Sequence, residues 1–360
     1  MKFIFQTRNS IQHGFSLIEL MIGMVIGLLA TLAIMQSMSV FEGQKRGATG
    51  TADAQTSGGI ALYNISRELK FAGYPLMPSG QPGVVDSPLE CTNFSYNSSG
   101  VTSITPVSIT NGTGSAGVNA SDTITIRYGN GASGGSPTTL DSRAGTVATV
   151  RNNLGCQAND VVLVTNGTDC TLTRATAVAG TSAPFTVTMQ DAIGDLGADF
   201  SCLGRWDTVT YAVNNGNLER NGVPVVADIV NLQAQYGISG SASSNTITQW
   251  VDATGTTWAT PTVANRNLIK AVRLAVVARN PQIETATVST TCNAATFTGL
   301  CAWQDVPLGN TVTPPTPITT ASPAPTISLS NADANWARYH YRVFETIIPL
   351  RNVVWSKETL

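Results

Sequence analysis

The chain has 360 residues with 20 Lys and Arg against 22 Asp and Glu, a formal charge of −2, and only 12% of its residues are charged. Basic residues form no stripe or cluster, which argues against nucleic acid as a partner, and two histidines, His13 and His340, are too few for a multi-histidine metal centre. Apolar residues concentrate in one N-terminal run while Ser, Thr, Asn and Gly dominate beyond residue 50, a makeup suited to a membrane-tethered, exported chain with a β-rich head.

Residues 1–14 are short, mildly basic through Lys2 and Arg8, and end in Gly14. In a general secretory signal the small-residue cleavage site follows the apolar stretch. Here the small residue precedes it, so cleavage after Gly14 removes a leader and keeps the apolar segment, with Phe15 as the new amino terminus. Residues 15–41 are long enough to span a bilayer and carry one carboxylate, Glu19. An acid in hydrocarbon costs several kcal/mol, roughly, unless it meets a partner there. A positive charge at the same depth in a neighbouring subunit is the natural one.

Gly14, Phe15 and Glu19, within the segment from Gly14 to Ile22, resemble the prepilin signature of the type IV pilin and pseudopilin superfamily. The resemblance implies that a membrane-embedded prepilin peptidase cleaves between Gly14 and Phe15 and methylates the Phe15 nitrogen. It also implies that Glu19 pairs with the Phe15 amine of an adjacent subunit. Two charges that are each costly in lipid become tolerable as a pair, and the pair sets the register of stacked helices. The competing reading of the residues is an ordinary signal anchor with a stray acid.

Counting basic residues gives no orientation, because Lys2 and Arg8 precede the span while Lys45 and Arg46 follow it closely. The leader and the cysteines decide instead, placing the C-terminal domain outside the cytoplasm, and the resemblance implies an inner-membrane single pass with the head in the periplasm. Cys91, Cys156, Cys170, Cys202, Cys292 and Cys301 all lie in the exported portion, an even set that reads as disulfides whose full connectivity the sequence leaves open. Cys292 with Cys301 is the one pairing singled out, across a short segment containing Gly299. Metal binding is the alternative, though no Cys-x-x-Cys spacing occurs.

Residues 42–74 are expected to continue the helix. Ile65, Leu69 and Ala72 share one face, and Gly73 with Pro75 supplies a stop. An unbroken helix from Phe15 to Ala72 would be about 87 Å long. Gly43, Gly47, Gly50, Gly58 and Gly59 argue instead for a melted or bent middle, since each costs up to about 1 kcal/mol in a helix interior.

Residues 75–360 then alternate as short strands and turns. The strand-like stretches are 122–128, 160–165, 185–189, 207–213, 268–279 and 339–350, with Asn215-Gly216 and Asn221-Gly222 as hairpin turns. Six prolines in the Thr-rich segment 305–326 mark an extended exposed loop. The fold class is therefore α+β, a long N-terminal helix packed on an antiparallel sheet. The head exceeds one compact pilin unit, so large insertions or a second subdomain are expected.

Stretches 65–74, 228–237, 269–279 and 342–352 resemble PilW-type minor pilins of type IV pili, which are related to the J-type minor pseudopilins of type II secretion. The absence of proline between Phe15 and Tyr74 also separates the chain from the major pilins. The resemblance implies a filament component without enzymatic activity, and membership of a minor-pilin priming and tip complex with PilV-, PilX- and FimU-like proteins, the major pilin and a PilY-type adhesin. Twitching motility and cell adhesion are the processes it would support. A type II secretion pseudopilin and a tethered adhesin or carbohydrate-binding module remain as alternatives.

Competing chemistry is thin. His340 lies between two tyrosines in a strand, where a structural role outweighs catalysis. The stretch 112–117 satisfies a dinucleotide-binding glycine pattern but runs into a strand instead of a helix, so it reads as a turn. Asp191, Asp195 and Asp199 crowd one glycine-containing loop and form a weak calcium candidate, although acidic loops of this kind are usually just solvated. No cofactor is implied. Trp250, Trp258 and Trp303 serve either as interface anchors or as core.

Overall fold

The computed structural model describes residues 14, 16–77, 87–91, 93–95, 99–112, 121–165, 169–192, 199–293, 298–303, 327, 329 and 333–355. Leader residues 1–13, Phe15, Asp195, most of the 112–117 glycine stretch and the 305–326 proline segment lie outside these residues. Contacts divide the chain into residues 1–51 and residues 52–360.

Helix α1 spans Leu17–Leu69 without interruption. Within residues 52–360 its inner face presents Ala54, Ala61, Ile65 and Leu69, each buried. Gly58 lies on that same side, and a Cβ built there would overlap the ring of Phe344, 2.8 Å from Cζ and closer to the neighbouring ring atoms. Gly59 faces open space. The expectation of a melted middle is thus corrected: at Gly58 the cost in helix propensity is offset by closer packing of helix on sheet. The helix also ends earlier than the expected Ala72. Phe71 and Ala72 donate to the carbonyls three residues back, of Glu68 and Leu69, which tightens the last turn. Gly73, at φ +76°, then hands its N–H to the Arg127 carbonyl.

The strands in chain order are β1 Asn93–Ser95, β2 Val107–Thr110, β3 Thr123–Gly129, β4 Thr138–Ala144, β5 Val147–Val150, β6 Val161–Thr165, β7 Asp169–Ala179 and β8 Phe185–Met189. There follow β9 Asp199–Gly204, β10 Trp206–Asn214, β11 Asn217–Arg220, β12 Val223–Ala227, β13 Ile229–Ser239, β14 Ile247–Val251, β15 Ile269–Ile283 and β16 Tyr339–Pro349. Short helices α2 Gly255–Trp258 and α3 Val263–Arg266 precede β15, and α4 Arg351–Trp355 follows β16. The strands form three sheets, one against the helix and two in the expected β-rich insertions.

A four-stranded antiparallel sheet in the order β14-β13-β15-β16 lies against the helix. Along β15, Val272, Leu274, Val276 and Ala278 enter the core shared with Ile65 and Leu69, while Ala275 and Val277 enter a second cluster with Leu300, Ala302, Trp303, Ile327 and Leu329. Both faces are covered, which is why this strand reads as a continuous apolar run. On the second face the guanidinium of Arg273 lies over the rings of Trp250 and Trp303, at 5.0 and 4.4 Å from their centroids. Gln235 accepts from its Nε at 2.7 Å. Trp250 and Trp303 are buried and Trp258 packs against the main core, so these tryptophans serve the interior.

The five-stranded sheet runs β12-β11-β10-β3-β2. Its two hairpins use Asn215-Gly216 and Asn221-Gly222, all four residues at positive φ, as the Asn-Gly signals require. Tyr236 of β13 accepts the Ile109 N–H at 2.6 Å and so ties this sheet to the first.

Asp122 is the second tie. It is buried at 2% exposure, and its carboxylate accepts the N–H of Gly112 at 2.9 Å and of Ala234 at 2.8 Å. Burial pushes its pKa from 3.8 up to about 7, against the two N–H donors that pull it down. The folded state therefore holds a proton more tightly than the unfolded chain. The stabilisation this gives is complete below about pH 4 and is lost as pH rises through about 7, at up to about 1.4 kcal/mol per pH unit. Asp122→Asn is expected to flatten that fall, measured as denaturant midpoints of both proteins at pH 5 and pH 8. A slope identical to the parent's would contradict it.

The remaining sheet has the order β1-β7-β6-β9-β4-β5-β8, and β8 pairs back onto β7. Strand β7 pairs with β6 through its first half and with β8 through its second; β4 pairs with β9 at Thr138 and Thr139 and with β5 beyond. Six antiparallel strands thus close a ring filled by Leu140, Val150, Val162, Val164, Val187 and Phe200 among others. Closure removes the exposed edges that an open six-stranded insertion would carry. Val161 and Leu163 face the main core instead, which seats the ring on the rest of the head.

Three disulfides join Cys91 to Cys170, Cys156 to Cys202 and Cys292 to Cys301. The last is the pairing singled out from the sequence.

Candidate functional site

The helix opens with a reciprocal cap. Ser16 N–H donates to Glu19 Oε2 at 3.0 Å, and Glu19 N–H donates to Ser16 Oγ at 3.2 Å. This is a capping box, Ser-x-x-Glu, which satisfies two amides that the first turn leaves without intrahelical partners. Sequence reasoning took Glu19 for a charge awaiting a partner in another subunit and passed over the cap, although the Ser-x-x-Glu spacing ahead of an apolar run is its signature. The carboxylate also sits in the first turn, where the helix dipole favours a negative charge.

From Leu17 to Met38, and again at Phe41, the large apolar side chains are exposed, Leu17 at 80% and Phe41 at 72%. The helix contains a stretch long and apolar enough to cross a membrane. Two of its hydroxyls bond back to the helix: Thr31 donates to the Gly27 and Leu28 carbonyls and Ser39 to that of Gln36. Such back-bonding suits polar side chains that have no water to turn to. Gly14 is exposed, and a Cβ built there meets nothing within 4 Å.

At the other end of α1, Glu68 is a buried carboxylate. It accepts from Arg220 Nη2 at 3.0 Å and from the Tyr128 hydroxyl. Burial first and then the adjoining carboxylate push the Tyr128 pKa up to about 12, so the phenol stays protonated and donates. Asn352 of α4 donates its amide to the Lys70 and Ala72 carbonyls, capping the helix end from the far terminus of the fold. Helix, five-stranded sheet and C-terminal turn are thereby locked together at one point.

Of the calcium candidates, Asp199 opens strand β9 and is buried there, Asp191 exchanges hydrogen bonds with Thr173 of β7, and Asp195 lies outside the described residues. His340 is half exposed on β16, with Nε2 3.8 Å from Glu284.

Residues 207–352 match the family model of type IV pilus-assembly protein W, and residues 9–35 match that of the prokaryotic N-terminal methylation motif. The first match covers nearly all of β10 and everything from β11 through β16, together with the start of α4. The ring of β4 to β9 lies outside both. No curated protein and no solved structure matches the chain.

Proposed function

Taking the chain as a type IV minor pilin of the PilW type, which its two family matches support, we propose that it is cleaved between Gly14 and Phe15, methylated at Phe15 and built into a minor-pilin complex that primes assembly and sits at the pilus tip. In this reading residues 1–14 are the leader, 15–41 the membrane and assembly helix, 42–74 its continuation and 75–360 a periplasmic head that reaches the cell surface with the filament. The partners are prepilin peptidase, PilV-, PilX- and FimU-like minor pilins, the major pilin and a PilY-type adhesin. Twitching and adhesion follow from that placement. The role is structural, not catalytic.

The observation that carries the reading is Glu19, the one charged residue in the helix before Glu42, at the head of its exposed apolar stretch and five residues beyond Gly14. A charge held at that depth has a stable home only beside an opposite one. Cleavage after Gly14 creates such a charge, the Phe15 ammonium, at the matching level of a neighbouring helix.

Mass spectrometry of the native product tests this directly. The expected mature terminus is N-methylated Phe15, accompanied in the filament fraction by other minor pilins. A product beginning at Met1 would refute it. In a deletion strain, loss of twitching with normal exoprotein release separates the pilus from a type II secretion machine.

A further inference from the structure

We propose that Cys156, Asp160 and Cys202, once the bridge between the two cysteines is reduced, form a three-ligand site for a thiophilic divalent cation of the zinc class, with the fourth position open to water. One ligand atom from each residue lies within 4.8 Å of the others. The Cys202 sulfur is 3.6 Å from Asp160 Oδ2. That same oxygen accepts the Gln157 N–H at 2.8 Å, and the Asp160 N–H returns to the Gln157 carbonyl at 3.1 Å. A turn with its own hydrogen bonds thus aims the carboxylate at the sulfurs, which is the kind of outer support that orients a metal ligand.

The donor set fits the chemistry. Both cysteines are buried, at 6% and 2% exposure, Cys156 in the turn after β5 and Cys202 on β9 of the ring, and Asp160 is partly exposed. Soft donors therefore lie inside and the hard donor lies on the entry side. Tetrahedral zinc with bonds of about 2.3 Å places two sulfurs about 3.8 Å apart. The Cα atoms, 5.6 Å apart, need little movement to allow that separation. The other bridges differ: Thr165 hydroxyl faces Cys91 and Cys170, and the Thr298 carbonyl faces Cys301. Among the described residues no other group of three such ligands occurs. In the dithiol state the cation would hold the turn after β5 to strand β9, the same two places that the disulfide joins after oxidation.

The chemistry balances with a phosphine as reductant. The phosphine and one water convert the S–S bond to two thiols and become a phosphine oxide, and binding of the cation then releases both thiol protons. The full chain in detergent micelles is reduced in this way, incubated with zinc, and alkylated with iodoacetamide. Mass spectrometry then reads each cysteine separately. Cys156 and Cys202 are expected to be protected together at one zinc per chain, and Asp160→Asn should raise the zinc concentration required by at least about tenfold, since it removes a ligand. Near-ultraviolet circular dichroism reports whether the reduced chain keeps its tertiary packing. Protection spread evenly over all six thiols, protection unchanged by Asp160→Asn, or none at either residue in a folded or an unfolded reduced chain would each overturn the proposal.

Discussion

Glu19→Ala is expected to leave cleavage after Gly14 largely intact and to cut incorporation into the pilus on the order of 100-fold. The magnitude follows from leaving a neighbour's ammonium unpaired at membrane depth, about 2.5–3.5 kcal/mol on insertion scales. The capping box makes a sharper experiment possible, because Glu19 has two roles that substitution can separate. Glu19→Gln keeps an oxygen able to accept the Ser16 N–H but carries no charge, whereas Ser16→Ala removes the hydroxyl half of the cap and keeps the carboxylate. If charge pairing governs assembly, the Gln and Ala variants fail alike and Ser16→Ala assembles. If the cap governs it, Gln behaves as the parent does and Ser16→Ala is impaired. The measurement is the amount of each variant in sheared filaments relative to the membrane pool, with the cleaved band scored in parallel.

The second large effect concerns two adjacent glycines with opposite outcomes. Gly58→Leu is expected to destabilise the head by about 3 kcal/mol or more, because the side chain must displace a Phe344 ring that is held by the core around Val276 and Ile65. Gly58→Ala should cost less, about 1–2 kcal/mol, since its gain in helix propensity offsets part of the overlap. Gly59→Ala meets nothing within 4 Å and should stabilise by up to about 1 kcal/mol. Denaturant midpoints of the three variants in detergent decide the matter. Equal effects at 58 and 59 would show that helix propensity, not helix-on-sheet packing, sets the tolerance of this segment.

Both experiments bear on how the long helix serves two masters. Its first half keeps apolar side chains exposed and turns the Thr31 and Ser39 hydroxyls back onto its own carbonyls, as a surface meant for lipid or neighbouring helices would. Its second half is fastened to the head by Ile65 and Leu69, by the Glu68 cluster and by Asn352. The attachment thus rests on apolar burial and on an ion pair in which Glu68 is buried and Arg220 is partly exposed.

Much of this was legible in the amino-acid order because it depends on near neighbours. The order of small residue, apolar run and acid at residues 14–19, the 3.6-residue spacing of Ile65, Leu69 and Ala72, the Asn-Gly turns and the short Cys292–Cys301 loop each report on one element alone. The Ser16–Glu19 cap was equally local and was there to be read. Other features had no local trace. Arg220 meets Glu68 across 152 positions and Ala234 meets Asp122 across 112, and no periodicity within either strand announces the partner. The ring of β4 to β9 closes only because β7 and β4 each divide their length between two neighbours, a property of pairing and not of any strand's composition. Gly58 and Gly59 are the same residue side by side, with the same intrinsic helix propensity. Only the position of Phe344 in space tells the necessary one from the dispensable one, since steric fit is a property of what lies opposite and not of what lies adjacent in the chain.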